Sequence, residues 1–153
     1  MHKVADNLTL EQIKSDKIQK LISDLQDTMY AQGHGVGIAA TQVGELVQVC
    51  VIEKEFSLDK SKDLILINPQ WQKASILRDW DEEGCFSVPN IYGKVKRYKK
   101  IKVQALDEKG NKLEFIANNF LARIIQHEVD HLNGILFIEK AKDLHKYEPE
   151  STM

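Results

Sequence analysis

His127-Glu128-Val129-Asp130-His131, within NFLARIIQHEVDHLNG, is the stretch around which the chain is organised. Two histidines four residues apart on a helix lie on the same face, one turn above the other, so both imidazoles can bind one metal ion. The glutamate after the first histidine points about 100° round the helix, which suits a base beside the metal better than a third ligand. HExxH is a metallohydrolase motif, although a pattern this short also occurs by chance on a solvated charged turn.

A helix of about 14 residues is predicted to carry the motif. Asn118-Asn119 can cap a start at Phe120, and Asn133-Gly134 can end the helix. Arg123 and Asp130 are expected away from the side that carries the two histidines, and that side is apolar. Its apolar residues are Phe120, Leu121, Ile124, Ile125 and Leu132. The histidines are therefore expected to face the core, where buried imidazoles and a carboxylate are costly unless a metal ion binds them.

Length and composition predict a single cytoplasmic domain. The chain has 153 residues, of which 42% are hydrophobic and 29% are charged. We expect one domain over residues 1–153, with the polar residues 143–153 as a frayed tail. The formal net charge of −2 argues against a general nucleic-acid binder. No apolar run approaches the roughly 20 residues that cross a bilayer, and MHKVADNLTLEQ lacks the apolar core of a signal peptide, so no membrane contact is expected.

An amphipathic helix is predicted before a glycine-rich loop. Thr9 and Gln12 are spaced as a capping box, and the helix should end near Gln32, before Gly33. Apolar residues then recur at three- to five-residue intervals, namely Ile13, Ile18, Leu21, Ile22, Leu25 and Met29.

The loop itself, GHGVGIAATQVG at residues 33–44, has almost no side-chain bulk. One interpretation is an extended edge that offers backbone hydrogen bonds to a peptide, with the Gln42 amide directed at a carbonyl oxygen. The other is a plain turn from helix to strand. A phosphate loop fits poorly, since no GK[ST] follows.

The rest of the chain predicts antiparallel strands. Residues 46–53 and 64–71 alternate as strands, and Pro69 should confine the second to an edge or an exit. Residues 100–117 form a hairpin around Glu108-Lys109-Gly110-Asn111, and residues 135–139 are predicted as a last strand. The predicted fold class is α+β, with antiparallel strands and hairpins around a central helix that carries HExxH, and with an N-terminal amphipathic helix.

The two cysteines have different surroundings. Cys50 lies within a predicted strand, where a free thiol packs as a small hydrophobe. Cys85 lies in DEEGCFSVPN, which neither a strand nor a helix accounts for cleanly. A structural disulfide is not expected in a reducing compartment. Cys85 is therefore either incidental or the third ligand that a two-histidine site lacks.

Three motifs occur in a fixed order: GVGIAATQ at residues 35–42, EGCFS at 83–87 and QHEVDH at 126–131. In that order they closely resemble the signature motifs of peptide deformylases, and the resemblance extends from about Leu21 to Lys140. It implies removal of the N-formyl group from the N-terminal methionine of nascent polypeptides, with release of formate. It also implies one divalent metal ion, typically ferrous iron, with zinc, nickel or cobalt as substitutes. The partners it implies are formyl-methionyl nascent peptides near the ribosome exit, without direct nucleic-acid binding.

The resemblance assigns roles residue by residue. The metal ligands would be Cys85, His127 and His131. Glu128 would be the catalytic acid and base, while the Gln42 amide and the backbone N–H of Phe86 would bind the oxyanion. The substrate peptide would contact Val36, Gly37, Ile38, Glu83 and Gly84. Three protein ligands leave an open position for water, and a thiolate ligand makes a helper base such as Glu128 valuable.

Two alternatives remain at this point. A zinc endopeptidase would need a third ligand downstream of HExxH, and Glu139 and His145 lack a recognised spacing for that role. An inactive or weakly active metal-binding relative is the second alternative. The family usually has a leucine where Phe86 stands, a proline where Lys96 stands, and a Gly-hydrophobic pair where Asn119-Phe120 stand. Family members also usually begin with a further strand and end with a longer helix, and their loss would lower stability or activity.

Overall fold

The structure is a computed structural model that describes residues 3–33, 35–85 and 88–146. Within these residues, two helices come first, seven strands follow, and a third helix precedes the last strand. The strands are β1 (Gly37–Ala39), β2 (Val49–Ile52), β3 (Leu64–Lys73), β4 (Arg78–Cys85), β5 (Val88–Tyr98), β6 (Lys100–Leu106), β7 (Lys112–Asn118) and β8 (Lys142–Lys146). The helices are α1 (Leu10–Ile13), α2 (Asp16–Ala31) and α3 (Asn119–Leu132).

The strands of this part of the chain form two antiparallel sheets. The larger sheet has the spatial order β1-β2-β3-β6-β7, and the smaller has the order β4-β5-β8. The predicted hairpin is confirmed, since β6 pairs with β7 across the turn that contains Gly110. The predicted fold of antiparallel sheets with helices is therefore confirmed.

The N-terminal helical region is divided, so the prediction of one continuous helix is wrong. The capping box is present, because Thr9 Oγ1 accepts from the Gln12 N–H at 3.1 Å and Gln12 Oε1 accepts from the Thr9 N–H at 2.8 Å. However, Ser15 ends α1 and caps α2. Its hydroxyl donates to the Gln12 carbonyl at 2.5 Å and accepts from the Ile18 N–H at 3.3 Å. The Ser15 side chain thus acts as the N-cap of α2, so a second helix begins after it.

The larger sheet is buried on both faces. One face and α2 share a core made of Ile18, Ile22, Leu25, Met29, Ile38, Val49, Val51, Ile65 and Ile67. The opposite face and α3 share a second core, which includes Cys50, Ile52, Leu66, Ile101, Val103, Ile125, Val129 and Leu132. The sheet therefore separates the two helices. Cys50 packs in the second core as predicted, and burial raises the pKa of its thiol well above the usual value.

Pro69 lies in an interior strand, which corrects its assignment to an edge or an exit. β3 pairs with β2 on one side and with β6 on the other. The register shifts between Ile67 and Gln70, and Asn68 has a φ of 51°. Pro69 thus falls at a β-bulge, where a missing backbone N–H is tolerated.

The smaller sheet differs most from the prediction. Cys85 is the last residue of β4 rather than part of an irregular segment. The predicted strand at residues 135–139 is wrong, because Phe137–Glu139 form a 3₁₀ turn. The final strand is β8, so the predicted frayed tail does not begin at residue 143. Residues 147–153 lie outside the described residues. None of the helices in the described ranges combines the length and apolar character needed to span a bilayer.

Leu25 of α2 is fully buried, and its replacement tests the α2 core. We expect Leu25→Ala to lower the free energy of unfolding by about 3 kcal/mol, because the substitution leaves a cavity between α2 and the sheet. Urea denaturation followed by circular dichroism measures the change. Leu58→Ala, at an exposed leucine, is the matched control and should cost less than about 0.5 kcal/mol. Equal losses in the two variants would contradict this packing.

Candidate active site

Three side chains converge where β4 ends beside α3. The ligand atoms of Cys85, His127 and His131 all lie within 4.8 Å of one another, and no other such group occurs in residues 3–33, 35–85 and 88–146. Cys85 Sγ is 3.3 Å from His131 Nε2, which is 3.2 Å from His127 Nε2. Donors bound tetrahedrally to one ion at about 2.0–2.3 Å would be separated by about 3.3–3.6 Å. The three donors are therefore placed to share one metal ion.

The same arrangement bears on the endopeptidase alternative. Neither Glu139 nor His145 belongs to the group of converging ligand atoms. His145 Nε2 instead lies 2.7 Å from Glu82 Oε1. The third donor beside the two histidines is Cys85, which precedes the HExxH motif in the chain.

Gln42 is aimed at this group by the 3₁₀ turn Ala40–Val43, which follows β1. Its Oε1 accepts a hydrogen bond from the backbone N–H of Ala39 at 2.8 Å, and its Nε2 donates to Cys85 Sγ at 3.1 Å. Because the backbone holds one end of the amide, the donor end is fixed beside the thiol. An N–H donor held in this way is suited to stabilising negative charge on a substrate oxygen nearby.

Glu83 connects the metal-ligand group to a buried ionic cluster. Its Oε1 accepts from His127 Nδ1 at 2.9 Å and from Arg97 at 2.9 Å, and its Oε2 accepts from Arg97 at 3.0 Å and Arg123 at 2.5 Å. Arg97 also donates to Asp130 at 2.6 Å. With Nδ1–H donating to Glu83, His127 presents the Nε2 lone pair, which is the tautomer that a metal ion requires. We call Glu83, Arg97, Arg123 and Asp130 the carboxylate–arginine cluster.

Sequence reasoning missed the function of this cluster. Arg123 and Asp130 were expected away from the buried side of α3, yet both are buried against the smaller sheet. Glu83 was assigned to substrate contact, but both of its oxygens are occupied by Arg97, Arg123 and His127. The available signal was the presence of Arg123 and Asp130, two turns apart, on a helix that is otherwise buried, since buried charges are usually paired.

The pKa values of the two histidines diverge. Burial alone lowers the pKa of His127, but hydrogen bonds with Cys85 and Glu83 outweigh burial and raise the pKa to about 10. Burial, with the positive charges of His127 and Arg97 nearby, lowers the pKa of His131 to about 3. A metal ion binds neutral imidazole, so binding at His127 would displace a proton.

Glu128 packs closely against Gly37 of β1. A Cβ at Gly37 would lie 2.9 Å from Glu128 Oε2 and 3.2 Å from the Val51 carbonyl. Burial, partly opposed by the charge of His127, raises the pKa of Glu128 to about 7. A carboxyl group with a pKa near neutrality can both accept and donate a proton.

One of two unpartnered buried atoms in the described residues, Glu128 Oε1, supports a metal ion at this site. Glu128 Oε1 and His131 Nδ1 have no hydrogen-bond partner within the described ranges. A buried carboxylate oxygen without a partner is costly, and a metal ion with its bound water would supply one beside Glu128. A thiolate and two imidazoles are also donors that first-row divalent ions accept. The residues therefore fit a bound divalent ion.

A cavity of about 500 Å³ opens beside the ligand group. Among the predicted site residues, its lining includes Val36, Gly37, Glu83, Gly84, Cys85, His127 and Glu128. The side chain of Ile38 is instead buried against α2, so only its backbone could contact a peptide. β1 is the outermost strand of the larger sheet in the described part of the chain. Phe86, predicted as a backbone donor, lies outside the described residues.

We expect Glu83→Gln to destabilise the protein by about 3 kcal/mol at neutral pH, because it leaves two buried guanidinium groups undercompensated. The ionic and hydrogen-bond partners lower the pKa of Glu83 from 4.5 to about 2 against the opposing effect of burial. Because the pKa of Glu83 is lower in the folded state, its ionised carboxylate stabilises the folded protein at pH values above the unfolded-state pKa. This stabilisation is lost as the pH falls toward about 2. Acid unfolding monitored with a chelator present should therefore be steeper for the wild type than for Glu83→Gln.

Glu114→Gln is the matched control for this prediction, since the contacts of Glu114 with Lys102 and Gln104 are exposed. It should leave the pH slope of unfolding close to that of the wild type. Identical slopes for the wild type and Glu83→Gln would contradict the ionic role of the cluster.

Comparison with known proteins identifies the family of this chain. A sequence model described as polypeptide deformylase matches residues 1–147. Peptide deformylase 2 of Vibrio cholerae is 44% identical over 122 residues, which cover 80% of this chain and 71% of that protein. The peptide deformylase of Pseudomonas aeruginosa is 41% identical over 128 residues, covering 84% and 74%.

A solved structure agrees with the sequence relatives. The Met-Ala-Ser-bound class I type b peptide deformylase of Acinetobacter baumannii superposes with a TM-score of 0.83 at 34% identity. The match covers 91% of this chain and 90% of that one. The chain therefore belongs to the polypeptide deformylase family, whose members remove the formyl group from the N-terminal methionine of nascent polypeptides.

Proposed function

We propose that this chain hydrolyses the formyl amide of formyl-methionyl peptides at one divalent metal ion held by Cys85, His127 and His131. The observation that carries the proposal is the convergence of these three donors beside the Gln42 amide, with Cys85 Sγ 3.1 Å from Gln42 Nε2. A structural metal site would need neither this amide nor the buried Glu128. No observation favours the inactive relative considered as an alternative.

A divalent ion held by Cys85, His127 and His131 would supply a Lewis acid and would lower the pKa of the attacking water. Glu128 takes a proton from that water as its oxygen attacks the formyl carbon. The C–N bond then breaks, and Glu128 passes the proton to the departing amine nitrogen. Formate and a peptide with a free N terminus are the products. The pKa of about 7 for Glu128 suits both transfers.

Two hydrogen-bond donors are proposed to stabilise the oxyanion that forms during the attack. Gln42 Nε2 is held beside Cys85 by the bond between Gln42 Oε1 and the Ala39 N–H. The backbone N–H of Phe86 is proposed as the second donor. Each such donor typically contributes about 3 kcal/mol to transition-state stabilisation.

The substrate peptide is proposed to lie along β1 as an added strand. Backbone groups from Val36 to Ile38 would bind it, and Gly84 would face it across the cavity. The apolar cavity residues Ile91 and Phe120 suit a methionine side chain, and Ile124 lies with them. The Acinetobacter relative is a Met-Ala-Ser-bound structure, which supports a peptide as the ligand.

We assign α3 as the central helix that carries HExxH and α2 as the amphipathic helix behind the substrate strand. The whole chain is proposed to act as a single domain in the cytoplasm, on nascent chains near the ribosome exit. The reducing environment of that compartment suits a thiolate ligand.

Formate release tests the proposed reaction directly. We expect the purified protein to release formate from formyl-Met-Ala-Ser, and elemental analysis of the same sample to find about one metal ion per chain. Glu128→Ala should retain the metal and lose at least about a hundredfold in kcat. Cys85→Ala should lose both metal and activity. Cys50→Ala is the matched control for the loss of a thiol and should keep the metal. A sample that carries metal yet releases no formate would overturn the proposal.

Ferrous iron is the proposed ion, with zinc, nickel or cobalt able to replace it. Oxidation of an iron–thiolate site damages Cys85 and should inactivate the iron form in air, whereas the nickel form should persist. The measurement is the activity half-life of protein reconstituted with each metal, in air and under nitrogen. Equal decay of the two forms in air would contradict this assignment.

A further inference from the structure

The last strand of the described chain contacts the wall of the active-site cavity. β8 pairs with β5, and His145 lies opposite Tyr92 in the register. The His145 imidazole stacks on the Tyr92 ring, with centroids 6.2 Å apart and an interplanar angle of 27°. His145 Nε2 also lies 2.7 Å from Glu82 Oε1. One side chain of β8 is therefore joined to both strands that form this wall.

Both partners of His145 belong to the cavity. Glu82 and Tyr92 line it on the side of the smaller sheet. The Tyr92 ring covers Gly84, where an added Cβ would lie 2.5 Å from Tyr92 Cε1. Gly84 immediately precedes the metal ligand Cys85, so the position of the Tyr92 ring determines the shape of the cavity next to the ligand group.

We propose that His145 is a positioning residue that holds the Tyr92 ring against Gly84, and that the wall formed by Glu82, Tyr92 and His145 contacts the peptide residues that follow the formyl-methionine. The first part rests on the stacking geometry and the bond to Glu82. Stacked rings at this separation resist rotation of the tyrosine side chain about χ1. The bond to Glu82 adds a second restraint on the imidazole, while the stacked ring itself is the contact that holds Tyr92.

The second part rests on the proposed function, because the formyl group must lie at the ligand group. Glu82 is three residues before Cys85 on β4, which is about 10 Å along an extended strand. That distance corresponds to about three residues of an extended peptide. The Glu82 end of the wall is therefore reached by the residues after methionine, whereas the Tyr92 ring over Gly84 lies nearer the ligand group.

Two substrates of different length test the proposal. With formyl-Met-Ala-Ser, His145→Ala should raise KM about fivefold, the size expected from loss of one aromatic contact, and leave kcat within about twofold. With formyl-methionine amide, which has no following residue, the rise in KM should be smaller. Lys146→Ala, at the exposed neighbour on β8, is the matched control and should behave as the wild type with both substrates.

Two further variants separate positioning from a merely structural role. His145→Phe keeps a stacked ring and should restore the KM of the wild type, whereas His145→Gln, which keeps only a partner for Glu82, should not. In a Tyr92→Ala background, His145→Ala should have no further effect on KM, because its effect acts through that ring.

Three results would count against the positioning role of His145, and a fourth would count against the proposed function. Equal KM changes for both substrates, additive effects of the Tyr92 and His145 substitutions, or failure of His145→Phe to restore KM would each overturn the inference. If His145→Ala lowers the unfolding temperature, the comparison of His145→Phe with the wild type still decides the matter. Failure of the wild type to release formate from either substrate would instead overturn the proposed function.

Discussion

Two buried guanidinium groups hold α3 against the smaller sheet, and the rest of the site depends on this contact. Arg97 of β5 and Arg123 of α3 both bind Glu83, and Arg97 also binds Asp130 of α3. Two arginines and two carboxylates make the cluster neutral overall, which offsets much of the cost of removing four charges from water. Gln126 strengthens the same contact, because its amide bonds both backbone groups of Tyr98 at 3.0 and 2.8 Å.

This contact determines where the metal ligands lie. α3 packs its apolar side on the larger sheet and its polar side on the smaller one, so His127 and His131 are buried between them. Cys85 arrives from the smaller sheet at the end of β4. The cluster thus connects the element that supplies the thiol to the element that supplies the imidazoles. Glu83 completes the link, since it also fixes the tautomer of His127.

The larger sheet supplies the remaining parts of the site. Gly37 permits β1 to approach Glu128 closely, and the turn after β1 directs Gln42 at Cys85. The cavity is lined by Gly37 of β1, by His127 and Glu128 of α3, and by residues 82–85 of β4. Tyr92 of β5 also lines it, and β8 supports that ring from outside through His145.

Local sequence signals predicted the local parts of this structure. The HExxH spacing on α3 and the turn chemistry at Gly110 both act over a few residues, and both features are present as expected. Cys85 was predicted only because its motif resembles a family, since nothing in its immediate neighbours identifies it as a ligand. Its position depends on pairing between β4 and β5.

Features that depend on distant partners were missed. Pro69 is accommodated by a bulge whose partner strand begins at Lys100. The Ser15 hydroxyl, which divides the first helix, was a local signal that was also missed. β8 has an almost entirely polar sequence and is a strand because β5 provides an edge for it. Arg123 and Asp130 are buried because Glu83 and Arg97, which lie 33 to 40 residues away in the chain, neutralise them.

We infer that the thiolate of Cys85 on β4 and the imidazoles of His127 and His131 on α3 bind a single ion. X-ray absorption spectroscopy of the zinc-loaded protein tests it most directly. We expect one sulfur ligand at about 2.3 Å and two imidazole nitrogens at about 2.0–2.1 Å, with the sulfur signal lost in Cys85→Ser. A spectrum with no sulfur ligand, or with a sulfur signal that persists in Cys85→Ser, would contradict it.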